Sequence, residues 1–255
     1  MVNQELLEAL ERIAREAGDA IMRVYTRDFA VEKKKDSSPL TEADWAANDI
    51  IMRGLQALPE LLPILSEEDI EGFKGVDADG RYWLVDPLDG TKEFIKRNGE
   101  FTVNIALIEH GEPVLGVVTA PALGTAYVAA DGVGAFKVES NGQRHAIQVA
   151  GRPSEGAAWR VVGSRSHASP DVTAWLESQG EYELLPMGSS LKLCLIAEGK
   201  ADVYPRFTPT CLWDIGAGHA IVRYAGGRVE TLIGEPLSYA HPAQMYNPPF
   251  VVWGF

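Results

Sequence analysis

The segment from Trp83 to Glu93 constrains the fold more than any other, because an apolar run, two aspartates and a glycine turn follow one another within it. The run Trp83–Val85 is typical of a buried central strand. Pro87 has no backbone N–H, so we expect the strand to end there. Gly90 and Thr91 are typical of a turn into a helix, where outward-pointing N–H groups attract phosphate. The sequence therefore predicts a strand, an acidic turn and the start of a helix.

The two aspartates of this turn, Asp86 and Asp89, are hard oxygen ligands on one short loop. Beside an anion-binding helix start, they suit a divalent ion such as Mg²⁺ that bridges the protein and a substrate phosphate. Asp-Pro and Asp-Gly are also ordinary turn formers, and a strand that ends in them usually has no catalytic role. This segment alone leaves both interpretations open.

A second apolar run also ends in acids. Leu61–Leu65 predicts a strand, and Glu67 and Glu68 follow it closely. If this strand lies beside the first, one of these glutamates reaches the same sheet edge as Asp86 and Asp89. Carboxylates so close together repel one another unless cations neutralise them. The two strand ends together favour a metal site.

Two further aspartates begin predicted helices. Thr41 and Asp44 have the spacing of a capping box, and Asp44 on its own is explained as an acid that stabilises the helix start. Asp214 lies in the first turn of a later helix that starts near Cys211, and a capping role explains it equally well. His219 shares a face of that helix with apolar residues, so we expect a core histidine rather than a ligand.

The polar stretch Val31–Leu40 contains three consecutive lysines and predicts a mobile loop. The lysines are either a solvated charge run or a basic lid over a bound phosphate, and the sequence favours neither.

The remaining pattern divides the chain near residue 150. Residues 101–138 alternate as an antiparallel meander with turns at glycines, and from about residue 152 strands alternate with helices. We predict an N-terminal α+β subdomain over residues 1–150 and a C-terminal α/β subdomain over 151–255.

Composition limits the classes of partner. The 255 residues include 36 acids against 23 lysines and arginines, which gives a net charge of −13 that disfavours nucleic-acid polymers and anionic lipid. No apolar run approaches the roughly 20 residues of a membrane span, and the N-terminus lacks the apolar core of a signal peptide. Two cysteines fit no zinc spacing, and a reducing cytoplasm is a simpler explanation than a disulfide. We expect a cytoplasmic protein; peripheral contact with the inner membrane and the choice between monomer and homodimer stay open.

Three motifs together resemble the inositol monophosphatase superfamily of metal-dependent phosphatases: Glu67-Glu68, the turn Asp86–Thr91 and the helix start Trp213–Gly218. Within it, the stretches Lys92–Asn104 and Ala201–Arg206 are similar to bacterial 3′(2′),5′-bisphosphate nucleotidases of the CysQ type. The resemblance implies a layered αβαβα sandwich of the inositol monophosphatase and fructose-1,6-bisphosphatase type.

The resemblance also implies a magnesium site of two or three ions. Its ligands would be the carboxylates of Glu67, Asp86, Asp89 and Asp214 and the carbonyl of Leu88. All of these residues except Asp86 would also contact the substrate.

The same resemblance assigns the catalytic pair and the substrate contacts. Asp44 and Thr91 would orient and deprotonate the attacking water, so Asp44 would be more than a cap. Backbone N–H groups of Gly90 and Thr91 would bind the transferred phosphate. The nucleoside and the remaining phosphate would be held by residues of the second half, namely His167, Ser189, Lys192 and Arg206.

The function implied is Mg²⁺-dependent hydrolysis of a small nucleotide, 3′-phosphoadenosine 5′-phosphate, to AMP and phosphate by metal-activated water. One alternative is an inositol-phosphate or sugar-phosphate monoesterase on the same scaffold; inositol phosphatases typically show Thr-Asn-Phe where this chain has Lys92-Glu93-Phe94. The other is a non-catalytic nucleotide or metal sensor, which would not need a water-activating pair such as Asp44 and Thr91.

Overall fold

The computed structural model describes residues 2–33, 39–164 and 169–255. Within these ranges the helices are α1 (Gln4–Tyr25), α2 (Glu42–Gln56), α3 (Thr91–Ile95), α4 (Pro170–Gln179), α5 (Leu191–Ala197) and α6 (Leu212–Tyr224). The strands are β1 (Val31–Lys33), β2 (Pro39–Thr41), β3 (Ile64–Ser66), β4 (Arg81–Asp89), β5 (Thr102–Glu109), β6 (Glu112–Ala120), β7 (Thr125–Ala130), β8 (Gly134–Val138), β9 (Arg144–Ala146), β10 (Trp159–Gly163), β11 (Tyr182–Pro186), β12 (Val203–Arg206), β13 (Arg228–Thr231) and β14 (Phe250–Trp253).

The elements stack as five layers. Helices α1 and α2 cover one face of a seven-stranded sheet of order β3-β4-β5-β6-β7-β8-β9. Helices α5 and α6 lie between that sheet and a five-stranded sheet of order β11-β10-β12-β14-β13. Helix α4 packs on the outer face of the second sheet through Leu176. The αβαβα sandwich expected from the sequence is confirmed.

The first sheet brings the two acidic strand ends together. Strands β3 and β4 are parallel neighbours with Ser66 opposite Val85, so the carboxyl ends of both strands lie at the same edge of the sheet. Every other neighbouring pair in this sheet is antiparallel, which is the meander that the alternating pattern predicts.

Helix α6 lies against the first sheet at a glycine contact. A Cβ on Gly116 of β6 would lie 2.3 Å from the carbonyl oxygen of Ala217 and 2.8 Å from Cβ of Ala220. A Cβ on Gly216 would in turn lie 2.7 Å from Cδ2 of Leu84 on β4. The close approach holds the start of α6 over the end of β4, although the two are far apart in sequence. One hydrophobic cluster accordingly spans both sheets, and a division at residue 150 stays a prediction.

Helix α1 begins at a side-chain cap and buries an apolar stripe. Asn3 is its N-cap and accepts a hydrogen bond from the backbone N–H of Leu6 at 2.8 Å. Its apolar stripe, which includes Leu7, Leu10 and Ile21, is fully buried against the first sheet.

Three predictions about strands are wrong in part. Strand β4 continues through Pro87, because the register with β5 shifts between Asp86 and Asp89 and the proline lies in a bulge that needs no N–H from it. The predicted strand Leu61–Leu65 is instead Ile64–Ser66: Pro63 cannot donate to a ladder, and Leu61 is 74% exposed.

The stretch Val31–Leu40 contains paired backbone rather than loop alone, since β1 and β2 form an antiparallel pair with Val31 opposite Thr41. Backbone pairing does not depend on the polar side chains from which the loop was predicted. Lysines 34 and 35 lie outside the described residues. Strand β13 has no counterpart in the prediction; it pairs with β14 despite its polar sequence.

Among the residues that the structure describes, no helix is long and apolar enough to cross a membrane. Both cysteines lie in described positions and neither is in a disulfide; Cys194 is buried and Cys211 half-buried.

Candidate metal centre

Three carboxylates from three separate elements meet at the edge of the first sheet. Glu67, Asp86 and Asp214 each offer an oxygen, and these oxygens all lie within 4.8 Å of one another. Glu67 continues the β3–β4 pairing by donating its N–H to the carbonyl of Val85 at 3.1 Å. Asp86 ends the regular part of β4, and Asp214 lies in the first turn of α6. The predicted meeting of acids from both strand ends is present in the structure.

The charges of this triad are not balanced. Burial and the charges of Asp89 and Glu67 together raise the pKa of Asp214 to about 8. The backbone N–H of Cys211, 2.9 Å from Asp214 Oδ2, and the charge of Arg206 act in the opposite direction without cancelling the rise. A group of hard oxygen donors that repel one another is the donor set that Mg²⁺ takes. The residues present therefore fit a divalent cation.

Asp89 is held next to this triad by hydrogen bonds. Its Oδ2 accepts from the backbone N–H of Ser190 at 2.6 Å and from the Ser190 hydroxyl at 2.9 Å. Its Oδ1 has no hydrogen-bond partner in the described ranges of the chain. Asp89 lies outside the group within 4.8 Å, but its charge is the strongest electrostatic influence on Asp214.

The turn that carries Leu88 is tied to the aspartate before it. The N–H of Leu88 donates to Asp86 Oδ1 at 3.1 Å, while its side chain is buried in the core. The carbonyl oxygen of Leu88 lies 3.4 Å from the Thr91 hydroxyl oxygen. This carbonyl thus lies on the same short turn as the two aspartates.

The two carboxylate oxygens of Asp44 have different partners. Its Oδ2 accepts from the N–H and the hydroxyl of Thr41 at 2.8 and 2.7 Å, which completes the capping box of α2. Its Oδ1 lies 3.4 Å from the hydroxyl oxygen of Thr91. One oxygen therefore caps the helix and the other contacts the side chain that begins α3. A buried carboxylate beside a hydroxyl can take a proton from it or from water that it binds.

Gly90 shapes the turn at the start of α3. Its φ of 90° is in the left-handed region, where glycine is unstrained. A Cβ at this position would lie 3.1 Å from the carbonyl of Glu100 and 3.2 Å from Cβ of Ser189. The first N–H groups of α3 have no acceptors within the helix.

The predicted contacts of the second half fall into two groups. Ser189, Lys192 and Arg206 lie beside the acids, and Lys192 Nζ donates to the carbonyl of Ser189 at 2.7 Å. Burial lowers the pKa of Lys192, the charge of Asp89 raises it and the charge of Arg206 lowers it, so the three charges are near one another. His167 lies outside the described residues.

Three buried polar residues at the site were missed by the sequence reasoning: Thr102, Asn104 and Ser190. The Asn104 amide donates to Ser190 Oγ at 2.9 Å, and Thr102 Oγ1 donates to Asn104 Oδ1 at 2.9 Å. Two polar residues at alternate positions of an otherwise apolar strand point to the same face. That spacing is the signal that could have identified Thr102 and Asn104.

His219 is a core histidine, as predicted. Burial lowers its pKa to about 3, and its Nδ1 lies 3.1 Å from the hydroxyl of Tyr239. It has no place in the acidic cluster.

Comparison with known proteins places this geometry in a family context. The family model described as inositol monophosphatase family matches residues 2–249. A protein of Escherichia coli (strain K12) named 3′(2′),5′-bisphosphate nucleotidase CysQ is 52% identical over 250 residues, which cover 97% of this chain and 99% of that protein. A protein of the same name from Haemophilus influenzae is 32% identical and covers 99% of this chain and 94% of its own.

Solved structures agree with the sequence relatives. The crystal structure of CysQ from Bacteroides thetaiotaomicron superposes with a TM-score of 0.82 at 38% identity, covering 98% of this chain and 97% of that one. An inositol monophosphatase from Anabaena superposes with a TM-score of 0.77 at 24% identity, covering 98% and 91%, and shows the shared fold.

Proposed function

Because the chain belongs to the inositol monophosphatase family, we propose that it is a metal-dependent phosphoric monoester hydrolase, a 3′(2′),5′-bisphosphate nucleotidase. Its substrate is 3′-phosphoadenosine 5′-phosphate, which it converts to AMP and inorganic phosphate. The observation that carries the proposal is the convergence of Glu67, Asp86 and Asp214 to within 4.8 Å beside the Asp44–Thr91 pair.

The main barrier to the reaction is the repulsion between an anionic phosphate and an attacking hydroxide. The acids would lower this barrier by holding cations. We propose that Mg²⁺ ions, two or three in number, are held by Glu67, Asp86, Asp89, Asp214 and the Leu88 carbonyl. Bound there, they would supply charge neutralisation, a lowered pKa of water and stabilisation of the leaving 3′-oxygen.

The chain's own groups then orient the reactants. Thr91 Oγ1 donates its proton towards Asp44 Oδ1, which leaves its lone pairs free to accept from the attacking water. Asp44 is buried, so little solvent competes for that proton. Backbone N–H groups at Gly90 and Thr91 bind oxygens of the transferred phosphate. No side chain needs to form a covalent phosphoenzyme.

The position of the cations favours a substrate with two phosphates. The charges of Asp89 and Asp214 act on Lys192, and the charge of Arg206 acts on Asp214, so both cations lie near the acidic cluster. We propose that they bind the 5′-phosphate while the 3′-phosphate lies at the metal centre, with Ser189 and His167 contacting the nucleoside. An inositol or sugar monophosphate has no second phosphate for these cations.

A substrate panel tests the proposal. Phosphate release in Mg²⁺ should be fastest from 3′-phosphoadenosine 5′-phosphate and much slower from inositol 1-phosphate. In Lys192→Gln the KM for the bisphosphate should rise about tenfold, because one charged contact is lost. The matched control is Lys200→Gln, which removes a lysine that pairs with Glu198 on the surface.

The two alternative functions predict different results. Faster release from inositol 1-phosphate would support the inositol or sugar phosphatase. Calorimetric binding of the bisphosphate in Mg²⁺ without any release of phosphate would support a sensor.

We also propose a cytoplasmic location, supported by two described cysteines that form no disulfide. Monomer and homodimer are both compatible with a site whose described residues all come from one chain.

A further inference from the structure

Ser190 uses its side chain in an unusual way for a residue that precedes a helix. It is the N-cap of α5, with φ −64° and ψ −9°, yet its hydroxyl makes no capping bond within the described chain. A serine at this position normally caps its own helix. Ser190 is only 1% exposed, and its hydroxyl is instead directed to the acidic cluster.

The hydrogen bonds of Ser190 connect Asp89 with the backbone of Asp214. Its backbone N–H donates to Asp89 Oδ2 at 2.6 Å. Its hydroxyl lies 2.7 Å from the backbone carbonyl oxygen of Asp214 and 2.9 Å from Asp89 Oδ2. Ser190, at the start of α5, therefore contacts both a carboxylate at the end of β4 and the first turn of α6.

The proton directions around Ser190 can be assigned by counting donors. Asn104 donates its amide to Ser190 Oγ at 2.9 Å, so the Ser190 proton points away from Asn104. Thr102 uses its single proton on Asn104 Oδ1 at 2.9 Å. Ser189 must then donate to Thr102 Oγ1 across 2.7 Å. The hydrogen bonds therefore run in one direction, from Ser189 through Thr102 and Asn104 to Ser190. The Ser190 hydroxyl in turn points its proton towards Asp89 Oδ2 and the Asp214 carbonyl oxygen.

We propose that Ser190 is a positioning residue that orients Asp89 and the start of α6 for cation binding. Its backbone N–H donates to Asp89 Oδ2, which leaves Oδ1 for a metal ion. Its single hydroxyl proton is shared between Asp89 Oδ2 and the carbonyl oxygen of Asp214, so the hydroxyl ties the carboxylate to the backbone that carries Asp214. The inference rests on the proposed metal-dependent function for the identity of the cation, which we take to be Mg²⁺.

The expected size of the effect follows from the role of groups that hold metal ligands. Loss of a hydrogen bond to a metal-ligating side chain typically weakens metal affinity by about 10- to 100-fold. Ser190→Ala keeps the backbone N–H on Asp89 and removes only the hydroxyl. We therefore expect the lower end of that range, about a tenfold increase in the Kd for Mg²⁺.

The test is calorimetric titration of the metal-free protein with Mg²⁺, without substrate, for wild type and variants. Ser190→Ala should show the tenfold weaker binding, and Ser190→Thr, which restores a hydroxyl, should recover most of it. Thr119→Val is the matched control, because Thr119 has a buried hydroxyl without a partner among the described residues. It should bind Mg²⁺ like wild type.

Activity measurements separate positioning from general damage. At saturating Mg²⁺, Ser190→Ala should regain most of its kcat while the half-saturating Mg²⁺ concentration stays raised. If circular dichroism shows that Ser190→Ala does not fold, Ser190→Cys replaces it, since a thiol has similar size and is a weak donor; it should also bind Mg²⁺ more weakly.

An unchanged Kd for Mg²⁺ in a folded Ser190→Ala or Ser190→Cys would overturn the inference, even if wild type hydrolyses the nucleotide. Weaker Mg²⁺ binding in the variant would support it even if wild type failed to hydrolyse any nucleotide. The two proposals can therefore fail separately.

Discussion

Replacing Asp214 by asparagine should make the metal-free protein more stable while it removes Mg²⁺ binding. The acids are held together against their own repulsion, which is why burial, Asp89 and Glu67 raise the pKa of Asp214 to about 8. Asparagine keeps the size of the side chain and an oxygen that can accept from the Cys211 N–H. Only the charge is lost.

The size of the gain can be worked from the geometry. Two unit charges 4.8 Å apart, the distance within which the oxygens of the triad lie, repel by about 3 kcal/mol at an effective dielectric constant of about 20. Near pH 8 Asp214 is about half ionised, and the lost attraction to the helix start is about 0.3–1 kcal/mol. The net gain should be about 2 kcal/mol, which raises Tm by about 4–8 °C in a chain of this size.

The gain depends on pH in a direction that the raised pKa determines. The native state keeps the Asp214 proton up to about pH 8, whereas the unfolded chain releases it near the ordinary aspartate pKa of 3.8. Stability of the metal-free wild type therefore falls as pH rises from about 4 to 8, and the advantage of Asp214→Asn should vanish near pH 4.

The assay is thermal unfolding in EDTA and in excess Mg²⁺. Mg²⁺ should raise the Tm of wild type and have little effect on Asp214→Asn, so the order of stability reverses between the two buffers. Asp171→Asn is the matched control, because Asp171 is an exposed acid in the first turn of α4. If Asp214→Asn is no more stable than wild type in EDTA at pH 8, the account of repelling acids is refuted.

Other predictions follow from the same structure. Asp89→Asn should lower Mg²⁺-dependent phosphate release by at least about a thousandfold, roughly 4 kcal/mol, with unchanged circular dichroism; near-normal release would exclude Asp89 as a ligand. His219, whose native pKa of about 3 lies below 6.5 in the unfolded chain, should contribute a loss of about 2 kcal/mol of stability between pH 7 and pH 5, measured in urea as the change in the difference between wild type and His219→Gln. His219→Gln should lack this loss, and an identical pH dependence would contradict the assignment. Gly116→Ala should cost roughly 1–3 kcal/mol, because the added Cβ meets the Ala217 carbonyl at 2.3 Å; unchanged stability in urea would show that α6 can move away.

Much of the acidic site could be predicted because local sequence determines it. Apolar runs that end in acids identify strand ends, and one buried parallel pair then brings Glu67 beside Asp86. The capping box identified Asp44 at a helix start, but its second oxygen faces Thr91 through tertiary packing. The resemblance to a family, rather than spacing, supplied that second role.

The remainder depends on contacts between distant segments. The start of α6 lies over β4 through glycine contacts at Gly116 and Gly216, which no local pattern reveals. The local sequence around Ser190 predicts an ordinary helix cap. Its hydrogen bonds to Asp89 and Asp214 depend instead on how α5 packs. The continuation of β4 through Pro87 likewise needs a bulge against β5.

The central claim is that these acids gather cations that allow water to attack the phosphate of a nucleotide. Phosphate release from 3′-phosphoadenosine 5′-phosphate, followed as Mg²⁺ is added back to EDTA-treated protein, tests it most directly. We predict no release in EDTA and a saturable recovery with Mg²⁺. The same rate of release in EDTA as in Mg²⁺ would contradict it.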